Sequence, residues 1–348
     1  MKKIKYIAII ICFLILARVV TVLVVRAPSY TIKTNGKLYI VDQLSQDIKL
    51  FDLFQGKELI EFPIEPGMHD IASLPSQNRV VLTNYGTKTL KGNSVTVINT
   101  KTNKVEKTIY LESRLSPHGV VAIPSTNKVG LVTDEGNFFL VVNIETGIVE
   151  KKILIQQHGS HLLAIHPYKP IAFITNSYAG SVSVIDLELD KLIEIIPCGK
   201  GTKGIDITKD GSEAWVTNAK TNTITIINTN TYKITNTLNT GNEPLILKFS
   251  IDGNYCLVVN ANDGNISVFN SHSKKEIKKI KLPGKNTLVE KILYHTPHPV
   301  NILNHPNGLY AFISNSNANK IEVIDMKLLE LVSTIGTGKS PHGLAFIE

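Results

Sequence analysis

Cysteine is scarce in this chain of 348 residues. Cys12 lies in an apolar stretch near the N-terminus, and Cys198 and Cys256 are far from it and from each other. Because there is neither a CxxC pair nor a regular cysteine spacing, the sequence excludes a disulfide framework and a cysteine-based zinc clip.

The short motifs of the common enzyme classes are also missing. The sequence has no GxSxG, no HExxH, no Walker loop and no GxGxxG followed by a helical pattern. These motifs are typical of α/β-hydrolases, zinc proteases, nucleotide hydrolases and dinucleotide-binding enzymes. Their absence favours a binding protein over an enzyme.

A strong excess of one charge is missing outside the N-terminus. The formal net charge is +8, but residues 1–26 hold five basic and no acidic residues, which leaves +3 for the remainder. Because nucleic-acid-binding domains carry a marked local excess of Lys and Arg, we do not expect a nucleic-acid partner.

What the N-terminus does contain is a long apolar segment. Three lysines within residues 2–5 precede the apolar run Tyr6–Ala17, and a second run, Val19–Val25, extends it to a length that can span a bilayer. Residues 1–26 are therefore interpreted as an uncleaved signal anchor, a single transmembrane helix with the rest of the chain on the extracytoplasmic side of the cell membrane. A cleaved signal peptide and a secreted protein remain the alternative. Residues 27–36 would be a tether.

From residue 37 onward, a unit of four short apolar runs recurs about every 40 residues. The clearest copy is Gly159–Ile195, in which runs of Ile, Val, Leu and Phe are separated by Pro, Gly, Asn, Asp and Ser. This period and content are typical of propeller blades. Seven Asx residues end the third strand of each unit, where their side chains can bond the backbone of a turn: Asp52, Asn99, Asn143, Asp186, Asn228, Asn270 and Asp325.

The two ends of the repeat region complement each other. Lys37–Ile64 contains three strands without a first strand ahead of them, and the C-terminal HGLAFIE is a first strand with nothing after it. We therefore predict an all-β, seven-bladed β-propeller over residues 37–348, closed by the C-terminal strand, which leaves only short sheet edges. A monomer is expected.

The repeats resemble a known family. Pro-His-Gly precedes a strand at residues 117–119 and 341–343, and other strands end in Val-Thr-Asn or Val-Ile-Asp. In this combination the chain resembles the YVTN-type β-propeller repeat family of exported bacterial and archaeal proteins. The resemblance implies the fold and export, but no activity, because propellers serve as binding proteins, lyases and lactonases alike.

Equivalent positions at the start of the innermost strands should form a ring at the mouth of the central channel. Four imidazoles and an ammonium are consecutive in this ring, which reads His342, His69, His118, His161, Lys203, Leu245 and Val300. The histidines either bond the backbone of a neighbouring blade as part of the repeat, or converge on a transition metal or an anionic ligand. Lys203 favours an anion, because an ammonium repels a cation.

Two functions follow from this ring. The first is a scaffold that binds a small-molecule or protein ligand at the channel mouth through His69, His118, His161, Lys203 and His342. The alternative is a lyase-like or lactonase-like enzyme with a divalent transition metal on the four histidines. A pair such as His118 with Asp134 could then act as a general base.

Two insertions and two further histidines complete the predictions. The longer insertion, Pro283–Pro297, together with the adjacent His298, would form a lid over the mouth, and a shorter one lies at Thr87–Gly92. The expected lid residues are Tyr294, His295 and His298. His166 and His305 each precede a proline and are expected to be solvent-exposed turn residues.

Overall fold

The computed structural model describes residues 29–65, 67–284 and 297–348. These ranges form seven four-stranded antiparallel sheets and one 3-10 turn, Pro75–Gln77. The predicted all-β propeller of seven blades is confirmed. No helix within the described ranges is long and apolar enough to cross a membrane, and the predicted anchor, residues 1–26, lies outside them.

The blades follow one another along the chain, except that blade 1 takes its innermost strand from the C-terminus. From the channel outward, blade 1 is β28 (Pro341–Ile347), β1 (Lys37–Asp42), β2 (Asp47–Asp52) and β3 (Lys57–Pro63). Blade 2 is β4 (Met68–Leu74), β5 (Arg79–Gly86), β6 (Lys91–Asn99) and β7 (Lys104–Tyr110). Blade 3 is β8 (Pro117–Ala122), β9 (Lys128–Thr133), β10 (Phe138–Asn143) and β11 (Val149–Leu154). Blade 4 is β12 (Ser160–Ile165), β13 (Ile171–Asn176), β14 (Ser181–Asp186) and β15 (Lys191–Pro197).

The remaining blades have the same pattern. Blade 5 is β16 (Thr202–Ile207), β17 (Glu213–Asn218), β18 (Thr223–Asn228) and β19 (Ile234–Asn239). Blade 6 is β20 (Pro244–Phe249), β21 (Tyr255–Asn260), β22 (Asn265–Asn270) and β23 (Glu276–Lys281). Blade 7 is β24 (Pro299–Asn304), β25 (Tyr310–Asn315), β26 (Lys320–Asp325) and β27 (Glu330–Gly336).

The ring closes as predicted. Strand β28 is antiparallel to β1, with Lys37 opposite Ile347 and Tyr39 opposite Ala345. The two ends of the repeat region therefore complete one sheet, and its backbone hydrogen bonds hold the first and last blades together.

The core lies between the blades. The second strand of a blade is buried along its length, as in β13, whereas an outermost strand such as β19 is mostly exposed. Trp215 is fully buried and contacts Phe249 and Phe269 edge to face. Apolar residues of each sheet are thus covered by the next blade, which a single blade could not achieve alone.

The Asx residues act as predicted. Asp186 Oδ1 accepts hydrogen bonds from the backbone N–H groups of Glu188 (2.9 Å) and Leu189 (2.8 Å). At all seven positions, the side-chain oxygen of the Asx residue accepts a hydrogen bond from the backbone N–H group two or three residues later. Each turn between a third and a fourth strand is therefore closed by its own side chain.

Hydroxyl groups from the second strands join neighbouring blades. Thr217 Oγ1 accepts a hydrogen bond from Gly204 N in its own blade (2.8 Å) and donates one to Leu245 O in the next blade (2.9 Å). Thr83 and Thr175 likewise each accept a backbone N–H hydrogen bond within their own blade. They donate to His118 O (2.7 Å) and Lys203 O (2.6 Å), respectively, in the next blade. The Thr of the Val-Thr-Asn strand end is thus an inter-blade contact.

Residues 29–35 pack between blades 7 and 1. Thr31 N donates to Ser333 Oγ (2.9 Å), and the hydroxyl of Tyr30 donates to Leu53 O (2.6 Å). Ile32 is buried among apolar side chains of both blades. In its described part, the segment interpreted as a tether therefore covers the closure of the propeller.

The expectation that His166 and His305 are solvent-exposed is wrong. They are only 5% and 4% exposed. His166 Nδ1 accepts hydrogen bonds from the N–H groups of Tyr168 (3.0 Å) and Lys169 (3.1 Å). His305 Nε2 lies 2.8 Å from Asn35 O in the N-terminal segment. Each imidazole closes its own turn with one nitrogen, which draws the ring inward against the neighbouring blade.

The inter-blade hydroxyl can be tested by the change Thr217→Val. This change keeps the shape but leaves Gly204 N and Leu245 O without their partner, so the free energy of unfolding should fall by about 1–3 kcal/mol. Urea denaturation measures it. The control Thr237→Val, on the exposed outer strand β19, should change little; equal effects of the two changes would contradict the role of the hydroxyl.

Candidate functional site

The predicted ring of seven residues lies at the channel mouth. Each member is the second residue of its innermost strand, where the register with the second strand shifts. A residue with left-handed backbone stands two positions earlier in every blade: Gly67, Ser116, Gly159, Gly201, Glu243, His298 and Ser340. This turn and bulge bring all seven ring side chains to the channel.

The four imidazoles form a continuous arc of ring contacts. The ring centroids are 4.4 Å apart for His342 and His69, 4.0 Å for His69 and His118, and 4.3 Å for His118 and His161. The planes are tilted by 39–60°. The structure thus brings together the histidines that the repeat alignment placed in consecutive blades.

Three of the four imidazoles also lie close to the backbone of the next blade. The backbone of His161 interacts with the His118 ring, that of Lys203 with the His161 ring, and that of His69 with the His342 ring. The Nδ1 atoms of all four are buried and have no hydrogen-bond partner among the described residues. This leaves Nε2 as the ring nitrogen available to the channel. Structural contact with the neighbouring blade and access to the channel are therefore both present.

Burial keeps the imidazoles neutral. Desolvation lowers the pKa of His342 to about 4 and lowers the pKa values of His69, His118 and His161 well below the ordinary value. The positive charge of Lys203 lowers the pKa of all four further, so its ammonium acts on the whole arc. At neutral pH the arc is an uncharged, hydrogen-bonding surface beside a cation.

On the opposite side of the mouth, the two ring residues are apolar, but the residues two positions before them in the sequence are polar. Leu245 and Val300 are each 8% exposed. Glu243 and His298 stand two residues before them, and the charges of Glu243 and Lys203 both act on His298. His298, which was predicted as part of a lid, lines the channel itself. The other two predicted lid residues, Tyr294 and His295, lie outside the described residues.

Sequence reasoning missed Tyr85. Its ring lies 5.2 Å from that of His118 at 86° and 5.6 Å from that of His69, and its hydroxyl donates to Asp134 Oδ2 (2.8 Å). Asp134 is thus held by Tyr85, and no hydrogen bond joins it to His118 in the described structure, contrary to the proposed general-base pair. The sequence feature that could have indicated Tyr85 is the neighbouring Thr87–Gly92 insertion, which lengthens the hairpin that carries this residue.

The mouth and the channel together enclose a cavity of about 570 Å³. Polar and apolar side chains both line this cavity, the apolar ones including Ala72, Val121 and Leu303. Deeper in the channel, Lys248 Nζ lies 3.4 Å from Asp206 Oδ1. Volumes of this size and mixed character are typical of small-molecule sites.

A metal centre is not supported by the arrangement. No group of three or more His, Cys, Asp or Glu side chains in the described parts of the chain could hold a metal ion. Metal ligation needs nitrogens about 2.0–2.1 Å from one point. Here the imidazoles follow the wall of the channel in consecutive blades, three of them close to the backbone of the next blade, instead of converging. The divalent metal on His69, His118, His161 and His342 therefore stays a prediction without geometric support.

Comparison with known proteins agrees with the fold. A family model described as YNCE-like beta-propeller matches residues 126–253. No curated protein matches the sequence. The chain is therefore shown to be a β-propeller protein, and the YVTN-type assignment is not confirmed.

Two solved structures are similar in fold. A functionally unknown protein from Desulfotomaculum acetoxidans has a TM-score of 0.75 and 20% identity, over 90% of this chain and 99% of that chain. Hydrazine synthase from Kuenenia stuttgartiensis has a TM-score of 0.68 and 17% identity, over 80% of this chain and 89% of that chain. At these identities, the likeness concerns the fold alone.

The neutral state of the arc leads to a prediction on pH. Because the folded pKa of His342 is about 4, its ¹³Cε1 chemical shift should keep the neutral-form value until the pH approaches 4. The unfolded state then binds the proton first, so this residue should lower the free energy of unfolding as pH falls from about 6.5 to 4. Histidine NMR in water and in urea measures both states.

The change His342→Gln serves as assignment and control. It should remove the low-pH signal and reduce the loss of stability between pH 6.5 and 4. A signal from His342 that titrates near 6.5 in the folded protein would contradict the burial argument.

Proposed function

We propose that this protein is a ligand-binding β-propeller whose site is the histidine arc at the channel mouth. The observation that supports this most directly is the contact of four neutral imidazoles, in consecutive blades, beside one ammonium. Unpaired polar atoms that are buried at one place reduce stability, so their concentration there favours a functional role.

The channel gives the ligand a place to lie. Hydrogen-bonding groups are concentrated on one arc of the mouth, while apolar side chains line much of the channel wall below it. A small molecule could bury its apolar part in the channel and keep its polar part at the arc, which is the usual division in such sites. The site therefore suits a small molecule, and the protein would bind it as a monomer.

Binding is favoured over catalysis because the imidazoles do not converge and two acidic groups beside them are already engaged. Asp134 accepts from Tyr85, and Asp70 accepts backbone N–H groups from Val120 (3.2 Å) and Ile71 (3.0 Å). The enzyme alternative, with a metal on the histidines, lacks a convergent ligand set.

We further propose that the propeller is held at the extracytoplasmic face of the cell membrane by residues 1–26. The support is the sequence: three lysines, then an apolar segment long enough to span a bilayer. The packing of residues 29–35 against blades 7 and 1 would then fix the propeller close to its anchor.

Ligand binding is tested with a library of fluorinated fragments and ¹⁹F NMR on the full-length protein in detergent. Some fragments should bind, and the double change His69→Gln and His118→Gln should abolish their binding because it removes two adjacent imidazoles. His272→Gln, on the exposed turn between β22 and β23, is the matched control. Fragments that bind the double variant as well as the native protein, or no binding at all, would contradict the proposal.

Membrane attachment is tested by fractionation of bacterial cells that express the full chain. The protein should stay in the membrane pellet after an alkaline carbonate wash, because a spanning helix resists extraction, whereas a variant without residues 2–28 should not. Release of the full chain by the wash would contradict an anchor. A mature protein in the medium that begins near residue 28 would indicate the cleaved signal instead.

A further inference from the structure

Lys203 is a cation without a close partner at the channel mouth. Its ammonium forms no salt bridge or hydrogen bond with the described residues, and only the longer-range attraction of Glu243 favours its charge. Burial and the nearby Lys220 act against that charge. A partly buried ammonium that lacks an adjacent anion loses part of its solvation, and a negatively charged ligand would offset that loss.

Among the described residues, no anionic group lies at contact distance from Lys203. Charged and titratable groups on the strands and turns that face the mouth are His69, His118, His161, His298, His342, Glu243, Asp70 and Lys220. The five imidazoles are neutral because burial lowers their pKa values. The other lysine of the channel, Lys248, is already paired with Asp206.

We propose that the ligand is a small carboxylate with a compact apolar body. This inference rests on the proposed function. The carboxylate would lie against the ammonium of Lys203 and accept N–H hydrogen bonds from neutral imidazoles of the arc, such as that of His161. Charge-assisted hydrogen bonds of this kind are about twice as strong as neutral ones.

The apolar body follows from the wall beneath the mouth. Ala72, Leu162 and Leu303 line the channel and are partly exposed to it. A ligand of one charged group alone, such as acetate, would leave this wall in contact with water. An aromatic or branched carboxylate would cover it and gain roughly 25 cal/mol for each Å² of apolar surface removed from water.

The test compares benzoate with benzamide, a neutral molecule of nearly the same shape. Calorimetric titration of the full-length protein in detergent, at pH 7 and constant ionic strength, should show benzoate bound at least tenfold more tightly than benzamide. Acetate should bind more weakly than benzoate. Inorganic phosphate should compete poorly, since it has no apolar body.

Three substitutions test whether the charge of Lys203 causes the preference for benzoate. Lys203→Gln should weaken benzoate binding at least tenfold and leave benzamide binding nearly unchanged, whereas Lys203→Arg should retain most of the preference for benzoate. Glu243→Gln should strengthen benzoate binding, because it removes the nearest carboxylate. Lys191→Gln, at the exposed start of β15, is the matched control and should have no effect.

The outcomes separate this inference from the proposed function. If benzamide binds at the arc as tightly as benzoate, or if Lys203→Gln leaves benzoate binding intact, the carboxylate inference is overturned while ligand binding stands. If phosphate binds more tightly than benzoate, the apolar body is overturned. If neither benzoate nor any fragment binds, both are overturned. The side chain of Lys203 makes no structural hydrogen bond with described residues, so thermal denaturation should show that the Gln variant remains folded.

Discussion

In four of the seven blades, a hydroxyl group on the second strand links the blade to the next one at the channel mouth. Thr83, Thr175 and Thr217 each donate to the carbonyl of the ring residue in the following blade, and Ser314 does the same to His342 O (2.9 Å). Because the register shifts at that point, the ring residue leaves its own sheet, and the hydroxyl replaces the lost pairing. Thr133 instead donates to Glu135 O within its own blade, and Val41 and Val259, which have no hydroxyl, take this position in blades 1 and 6.

The properties of the arc follow from the packing of neighbouring inner strands around the channel. Neighbouring inner strands bring consecutive imidazoles to centroid distances of 4.0–4.4 Å, and the same proximity excludes water and lowers their pKa values. A single histidine on one blade would keep more solvent and could take up a proton more easily. The uncharged arc beside Lys203 is thus a collective property of four blades.

The closure of the ring combines both ends of the chain. Strand β28 supplies the innermost strand of blade 1, and Thr34-Asn35-Gly36 lies where the other blades have the turn between their first and second strands. Gly36 has a φ of +89°, and a Cβ there would lie 2.3 Å from the Phe346 ring. The contact of His305 with Asn35 corresponds to the contact of His166 with Gly211 in blade 5. The N-terminal segment therefore takes the place of the turn between first and second strands, which blade 1 lacks because those two strands come from opposite ends of the repeat region.

Local patterns were sufficient to predict much of this protein. Strand alternation, turn chemistry and a regular repeat depend on neighbours in sequence, so the seven blades, the closing strand, the Asx turns and the order of the ring could be predicted. Several features could not, because they depend on residues distant in sequence. Tyr85 lies against His69 and His118 and donates a hydrogen bond to Asp134. His166 and His305 are buried against the next blade. Residues 29–35 pack on the closure of the ring. Histidine positions could be read from the repeat, but burial and mutual contact, which set their charge, arise only when seven blades close into a ring.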